Sequence, residues 1–598
     1  MRKRRMAVLL SAFLMMGVLP VATAGAAGHE CGDPFTAIYD LQGSGSSSLF
    51  HTSPSTVVTT EGVVSLDLQK TSEIRGFFLQ DPDGDGDSAT SDGLFVFQQD
   101  TWDGGAFDVS EGDHIRITGE LDENFGDTEI ENTTEILLCG SGKIKPLKLK
   151  AEQYTADTES LEGMLVQFKK KMAVTDTFNL HRFGEIWLTE KNVSEQPTNQ
   201  FAPGTKATDL ANRNMARSIL LDDASRFSNP SPIPFLRKDD TLRLGDTTKK
   251  LTGAVYFSFG NYKLEPAGDV DFKAKNKRKG APDVDGDLIV ASANVLNYWT
   301  TIGCGFPCRG AQTPAQLTAQ TDKLVAMFLE MDADVIALQE MENDPTHLPI
   351  TTLVAAMNAA EGSTVWAWVG PVATYNSYPI RNEIVYRIGA VTPLGGPVTI
   401  VDPAFDTIPV GRTTPLGRPP VAQSFMADGE TFTVMVNHFK SKSCSGATGL
   451  DLDQGDGQSC HNAARVAQAE RVLVFVDDLI AATGDKDVLV VGDMNAYLEE
   501  DPIHTLEGDL KNLVSKYEKD PYSFNFFASF AAPWIGRGLL DHAFGTKSMS
   551  KQVEEVRLWH VNADEPRFQD WFDPTILAPG PFRASDHDPV IIGLELDD

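Results

Sequence analysis

Across the C-terminal half of the chain, short apolar runs alternate with amphipathic stretches, and run after run stops on a polar side chain able to do chemistry. The run 289–293 leads to Asn294, 335–338 to Gln339 and Glu340, 432–436 to Asn437 and His438, 488–491 to Asp493 and Asn495, and 538–540 to Asp541 and His542. Ser585-Asp586-His587-Asp588-Pro589 stands directly ahead of the apolar run 590–592. Apolar runs of this length, bounded by polar residues, predict strands buried on both faces. Between them, Leu317, Leu324, Met327, Phe328 and Met331 recur at helical spacing, and 462–482 does likewise ahead of Gly484. Strands alternating with helices predict a layered α/β sandwich over 285–598.

Ahead of a charged linker, 276–284, the pattern changes to short β runs with an internal repeat. Glu61-Gly62, Gly112-Asp113, Thr118-Gly119 and Phe125-Gly126 recur as Glu162-Gly163, Gly245-Asp246, Thr252-Gly253 and Phe259-Gly260. Two small β-barrels of the OB kind, 28–142 and 143–275, are the expectation. Such barrels bind single strands through basic grooves and exposed aromatics. Lys143, Lys145, Lys148, Lys150 and 169–171 are candidate groove charges, with a solvated face as the plainer reading. Within the first barrel, Asp81, Asp83, Asp85 and Asp87 alternate with Pro and Gly, a spacing that predicts a structural Ca²⁺ loop although the glutamate of an EF-hand is missing. A hydrated acidic turn is the alternative.

Residues 1–27 carry a basic start, an apolar run from Met6 to Val18 and small residues at 22–27, the three regions of a secretory signal peptide. Secretion to the extracellular medium is expected, the periplasm being the alternative, with neither a membrane anchor nor a protein partner implied. The six cysteines fall into local pairs, Cys31 with Cys139, Cys304 with Cys308 and Cys444 with Cys460, and predict three disulfides. The formal charge of −33 becomes more negative still once the four basic residues of the leader are lost. That balance argues against broad affinity for nucleic acid and predicts weak binding without metal.

The order Asn294, Glu340, His438, Asp493 with Asn495, Asp541, and Asp586 with His587 resembles the endonuclease/exonuclease/phosphatase (DNase I-like) superfamily. Asn294-Val295-Leu296-Asn297-Tyr298, Arg309-Gly310-Ala311, Val436-Asn437-His438-Phe439-Lys440-Ser441-Lys442, Gly492-Asp493-Met494-Asn495-Ala496-Tyr497 and Asn562-Ala563-Asp564-Glu565-Pro566 are similar, more narrowly, to ExeM/NucH-type secreted bacterial nucleases. The resemblance implies a four-layer α/β sandwich behind the two barrels, and Mg²⁺ or Mn²⁺ held by Asn294, Glu340, Asp493 and Asp586. It implies catalytic roles for His438, Asp493, Asn495, Asp541 and His587, with Asp541 fixing the His587 tautomer. Which histidine is acid and which base stays open. Arg309, Asn437 and Lys440 are the candidate substrate contacts. Glu383, the nearest acid that could support His438, does not match the family by spacing.

The expected function is metal-dependent hydrolysis of DNA, with RNA as a further substrate, leaving 5′-phosphate ends. The rivals are a phosphodiesterase or phosphatase of the same fold acting on lipid or small-molecule phosphates, and a non-catalytic binding or adhesion protein.

Overall fold

The computed structural model describes residues 30–52, 55–98, 107–303, 309–372, 376–408, 415–526, 536–566 and 578–596. The leader and the pair Cys304 and Cys308 lie outside them. Cys31–Cys139 and Cys444–Cys460 are disulfides, with Cα atoms 5.5 and 5.0 Å apart. Among the described residues no helix is long and apolar enough to cross a membrane.

In the first unit, strands Thr56–Leu68, Gly76–Gln80, Gly93–Phe97, Asp127–Ser141 and Asp113–Asn124 pair in that order, and the last returns to the first. Inward-facing Val64, Phe77, Leu79, Leu94, Ile115, Ile117 and Ile130 fill its core. The second unit differs from the expected second barrel. It is an eight-stranded sheet in the order Thr247–Thr248, Met172–Asp176, Ile186–Glu190, Ser218–Leu221, Asn261–Pro266, Thr252–Ser258, Leu165–Phe168 and Leu147–Leu149. The cause is the segment between Asp176 and Ser218, which carries helices and brings Ser218–Leu221 in parallel against Asn261–Pro266. The sequence repeat marks two alike hairpin tips instead. Phe125-Gly126 and Phe259-Gly260 both turn with φ positive at each residue (56° and 100°, 50° and 78°), the twist that joins antiparallel strands in two residues.

The C-terminal unit consists of two six-stranded sheets packed face to face. One runs Trp366–Trp368, Ile380–Arg387, Val335–Glu342, Leu288–Tyr298, Val590–Leu594, Val553–Leu558, and the other Thr392–Thr399, Arg418–Ala427, Glu430–His438, Val488–Asp493, Asp541–Gly545, Lys511–Asn512. Val290, Val335, Ile384, Val434, Val436, Val491 and Ile592 form the seam between them. On the outer faces, helices Pro314–Met331 and Leu348–Glu361 cover the first sheet, and Asn462–Thr483 and Asp501–Glu507 the second. Helix Pro314–Met331 starts where Thr313 accepts the Gln316 N–H and where Pro314 has no N–H to leave unpaired. It buries Leu324, Met327, Phe328 and Met331, each contributing roughly 1.5–3 kcal/mol. The result is the four-layer α/β/β/α sandwich that the alternating runs predict. The central strands of both sheets reach one edge together, and there their polar ends meet.

The linker expected at 276–284 is strapped down. Arg278 donates to both Glu565 oxygens (3.0 and 2.7 Å), and the Asn276 side chain donates to Asp564 at 2.6 Å. Buried Arg243 of the second unit ion-pairs with the same Asp564 and Glu565.

Candidate active site

Asn294 and Glu340 leave their neighbouring strands at matched irregularities. The register of Leu288–Tyr298 against Val335–Glu342 shifts between Asn294 and Tyr298, and that of Val335–Glu342 against Ile380–Arg387 shifts between Leu338 and Met341. Leu296, Asn297, Glu340 and Asn495 all have positive φ (55°, 50°, 68° and 48°). Strain of this kind, of order 1–3 kcal/mol per residue, persists where the surroundings hold a side chain in a working position. Across the seam, Asp493 ends a wholly buried strand. At Gly492 (φ 136°) a Cβ would lie 2.0 Å from the Asn437 carbonyl, so only glycine lets the two strands come this close beneath the site.

Asp493 is the hub. Its Oδ2 lies 3.3 Å from His438 Nε2 and 3.9 Å from His587 Nε2, and it accepts from the amides of Asn294 (3.3 Å) and Asn495 (3.2 Å). Oδ1 accepts the Asn495 N–H at 2.8 Å. On the far side, His587 Nδ1 lies 2.7 Å from Asp541 Oδ2, which also accepts from Ser523 Oγ at 2.7 Å. Phe524 covers the His587 ring with centroids 4.6 Å apart. Glu340 Oε1 is 3.8 Å from His438 Nε2, while Oε2 accepts the Asn297 N–H at 2.9 Å.

The two imidazoles are driven to opposite protonation states. Burial, with Arg418 adding to it, pushes His438 down to about 3, so it is neutral. Burial also opposes the charge on His587, but the carboxylates of Asp541 and Asp493 overcome it and hold His587 well above its ordinary value. Asp493, despite burial, is held well below the usual carboxylate range by His587 and His438. Asp541 is raised to about 6 by burial, against the pull of His587. Glu340 is raised by burial and by Asp586 and Asp493.

Of the other expected residues, Asp586 is buried and close enough to Glu340 and His587 to act on both. Asn437 turns away, donating to the Met435 and Val491 carbonyls inside its own sheet. Lys440 Nζ donates to Ser441. Arg309 is exposed and acts electrostatically on Arg418. Glu383 pairs with Arg381 at 2.6 Å and is raised to about 7 by burial. His438 Nδ1 finds no hydrogen-bond partner among the described residues.

Arg418 was not foreseen. It sits opposite His438 in register, lies over the Tyr378 ring at 4.9 Å and is 2 % exposed. Its Nε and Nη1 have no hydrogen-bond partner among the described residues. Asn562 was also missed as part of the site. It donates to the His587 carbonyl at 2.6 Å and accepts the N–H groups of Ala584 and Ser585, fixing the turn that presents the imidazole.

Among the described residues, Asp493, Asp541 and His587 form one buried group able to hold a metal ion. The short Asp541–His587 contact makes that group more suited to passing a proton. Glu340, Asp586, Asp493 and the Asn294 carbonyl offer hard oxygens, and two buried carboxylates beside a half-buried third leave excess negative charge that a small divalent cation would neutralise. In the Asp81–Asp87 loop the carboxylates accept from local N–H groups of Asp83, Gly84, Asp87 and Ala89.

Residues 291–587 match the model of the Endonuclease/Exonuclease/phosphatase family, and 137–275 that of a domain of unknown function, DUF8508. No curated protein matches the chain. Similar solved structures include D. rerio TDP2 complexed with single strand DNA product (16% identity, 51% of this chain and 97% of that one, TM-score 0.33). Bacteroides thetaiotaomicron mannosyl-6-phosphatase (17%, 52% and 100%, 0.32) and the human Nocturnin catalytic domain with bound sulfate (13%, 52% and 96%, 0.32) are two more. The segment that runs from the Asn294 strand to His587, and so contains every side chain gathered around Asp493, is an endonuclease/exonuclease/phosphatase family domain.

Proposed function

We propose that the protein is a secreted, divalent-metal-dependent nuclease of the ExeM/NucH type that hydrolyses the phosphodiester bonds of extracellular DNA, leaving 5′-phosphate ends. The observation that carries this reading is Asp493 Oδ2 set between His438 Nε2 (3.3 Å) and His587 Nε2 (3.9 Å), with His587 Nδ1 backed by Asp541 Oδ2 at 2.7 Å. In-line hydrolysis of a phosphodiester needs a carboxylate to orient and deprotonate water and an acid for the leaving oxygen, and the site holds both. Asp493, with Asn495 beside it, aligns the attacking water and takes its proton. His587, its Nδ1 bonded to Asp541, gives the Nε2 proton to the departing 3′ oxygen as the P–O bond breaks. The unpartnered guanidinium nitrogens of Arg418 donate to the phosphoryl oxygens, while neutral His438, its Nε2–H directed at Asp493 Oδ2, holds that carboxylate in place. Glu340, Asn294, Asp586 and Asp493 would hold Mg²⁺ or Mn²⁺, which when bound neutralises charge growing on the phosphate. Export is supported by the leader and by two disulfides that tie down the first unit and the loop after His438.

The closed pairing of the first unit and the 90 % exposed Phe125 at its hairpin tip support an OB-like, strand-binding role for it. The charge of −33 favours a second reading, a phosphatase of small or lipid phosphates, because it repels polyanions. Incubating plasmid DNA, sphingomyelin and inositol phosphates with Mg²⁺, Mn²⁺ or EDTA separates the two. Cleavage of plasmid alone, abolished by EDTA, is expected; turnover confined to the small phosphates would replace the nuclease reading.

A further inference from the structure

The second unit reaches into the back of the active site at 175–176, which accepts from Asn525, and more extensively through the short segment 194–199. Its backbone pairs with the loop that precedes Asp541: the Gln196 N–H donates to Arg537 O (2.9 Å) and the Arg537 N–H to Ser194 O (3.1 Å). A Cβ on Gly536 would lie 2.8 Å from Ser194 O, so the approach leaves no room for a side chain there. On its other flank Thr198 donates to Glu500 at 2.7 Å, and its carbonyl accepts the Glu499 N–H at 2.9 Å, which fastens the loop that follows Asp493. The segment therefore lies between the two loops that carry Asp493 and Asp541.

Asn199 occupies its end and is 4 % exposed. Its amide is used wholly across the boundary: Nδ2 donates to Pro521 O at 3.1 Å, and Oδ1 accepts the Leu539 N–H at 3.0 Å. Two residues beyond each of these backbone groups stand Ser523 and Asp541. Ser523 Oγ accepts the N–H groups of Leu540 (3.1 Å) and Asp541 (3.0 Å) and donates to Asp541 Oδ2 at 2.7 Å. The same Ser523 accepts the Asp588 N–H on its carbonyl at 2.8 Å, next to His587. We propose that Asn199 is a positioning residue for the Asp541–His587 pair: its amide clamps Pro521 to Leu539 and so holds Ser523 and Asp541 in the geometry that orients the imidazole.

This deepens the hydrolase reading and rests on it only for its kinetic arm. The second unit thereby becomes part of the catalytic apparatus instead of a separate binding module. Docking of the two units does not depend on Asn199, because Arg243 and Arg278 anchor the interface on Asp564 and Glu565 independently. Replacing Asn199 by a leucine of similar volume leaves the Pro521 carbonyl and Leu539 N–H buried without partners, and the loop relieves this by moving.

The test compares wild type, Asn199→Leu, Asp541→Asn and the double variant in the full chain. Steady-state kinetics use bis(p-nitrophenyl) phosphate with Mn²⁺, and amide hydrogen exchange is followed at 521–526 and 536–545. In Asn199→Leu, kcat should fall about tenfold with KM within twofold, as for a small misplacement of a working group. Exchange at Leu539, Leu540 and Asp541 should quicken while the strand Val488–Asp493 stays protected, and in the Asp541→Asn background the same substitution should cost nothing further. Wild-type exchange in Asn199→Leu, or an equal loss of kcat in both backgrounds, overturns the proposal, since a merely structural residue would act additively. If the wild type hydrolyses no phosphoester, the hydrolase reading fails and the exchange comparison alone decides for or against the clamp. Should Asn199→Leu not fold, Asn199→Ser, small enough to admit water, serves the same comparison.

Discussion

Substituting Asp541→Asn removes one charge from the buried pair with His587 and little else, since Asn can still accept from Nδ1 and from Ser523. Two unit charges about 4 Å apart at an effective dielectric near 20 interact by about 4 kcal/mol. Losing that attraction lowers the His587 pKa, because Asp541 is the foremost group holding it up. The sign follows from the role assigned to His587, which must be protonated to release the leaving oxygen. Wild type holds it protonated above its ordinary value, so activity persists into alkaline solution. In the variant the proton is lost earlier, the alkaline limb moves to lower pH, and the loss on the alkaline side grows toward the about two to four orders of magnitude that general acid catalysis supplies. Asp493, held well below the usual carboxylate range, stays ionised across the range in both proteins and contributes no change of its own. The assay is kcat/KM against pH from 5 to 10 on a fluorogenic oligonucleotide with saturating Mg²⁺. An alkaline limb that does not move would refute the assignment of His587 as the acid.

Arg418→Met keeps the bulk over Tyr378 and removes the buried guanidinium; kcat/KM on DNA should fall by about two orders of magnitude, and an unchanged value would take Arg418 out of phosphate binding. Cys444→Ser with Cys460→Ser opens a loop whose ends are 16 residues apart, worth about 3 kcal/mol to stability, which urea unfolding should register as a lower midpoint. Glu129, 1 % exposed, is raised from 4.5 to about 8 by burial, so it is neutral in the fold and charged once unfolded at neutral pH. Its effect on stability therefore turns unfavourable as pH rises from about 4.5 to 8. Glu129→Gln should raise Tm at pH 9 and leave it nearly unchanged at pH 4; equal shifts at both would exclude titration as the cause.

The polar strand ends were legible because a strand buried on both faces leaves a terminal Asp, Asn or His no ordinary task. Asn294, Glu340, His438, Asp493, Asp541 and His587 carry that signal, and the fold brings them to one edge. The alternation of a strand also separates neighbours, and it was applied too loosely to Asn437. Asn437 and His438 face opposite sides, so only one of them can enter the crater. His542 beside Asp541 behaves alike, its Nε2 meeting the Ala496 carbonyl at 2.9 Å. Arg418 escaped notice because it opens a strand instead of closing one, and because a buried arginine in Gly417-Arg418-Pro419-Pro420 carries no periodic signal. The eight-stranded sheet was illegible for another reason. A hairpin tip such as Phe259-Gly260 fixes the register of two strands but not which third strand lies beside them, and the partner of Asn261–Pro266 comes from a segment beyond three inserted helices. Asn199, in the one-turn helix Pro197–Gln200, and Ser523, in a loop, lie more than 300 residues apart in sequence, where no local pattern marks a contact.

The most direct measurement is the rate of plasmid cleavage by wild type and by Asp493→Asn, each with Mg²⁺ and with EDTA, with the ends of the products analysed. Convergence of Asn294, Asn495, His438 and His587 on this one carboxylate predicts metal-dependent cleavage to 5′-phosphate ends in wild type and a loss of at least about two orders of magnitude in the variant. Cleavage by Asp493→Asn at the wild-type rate would contradict it.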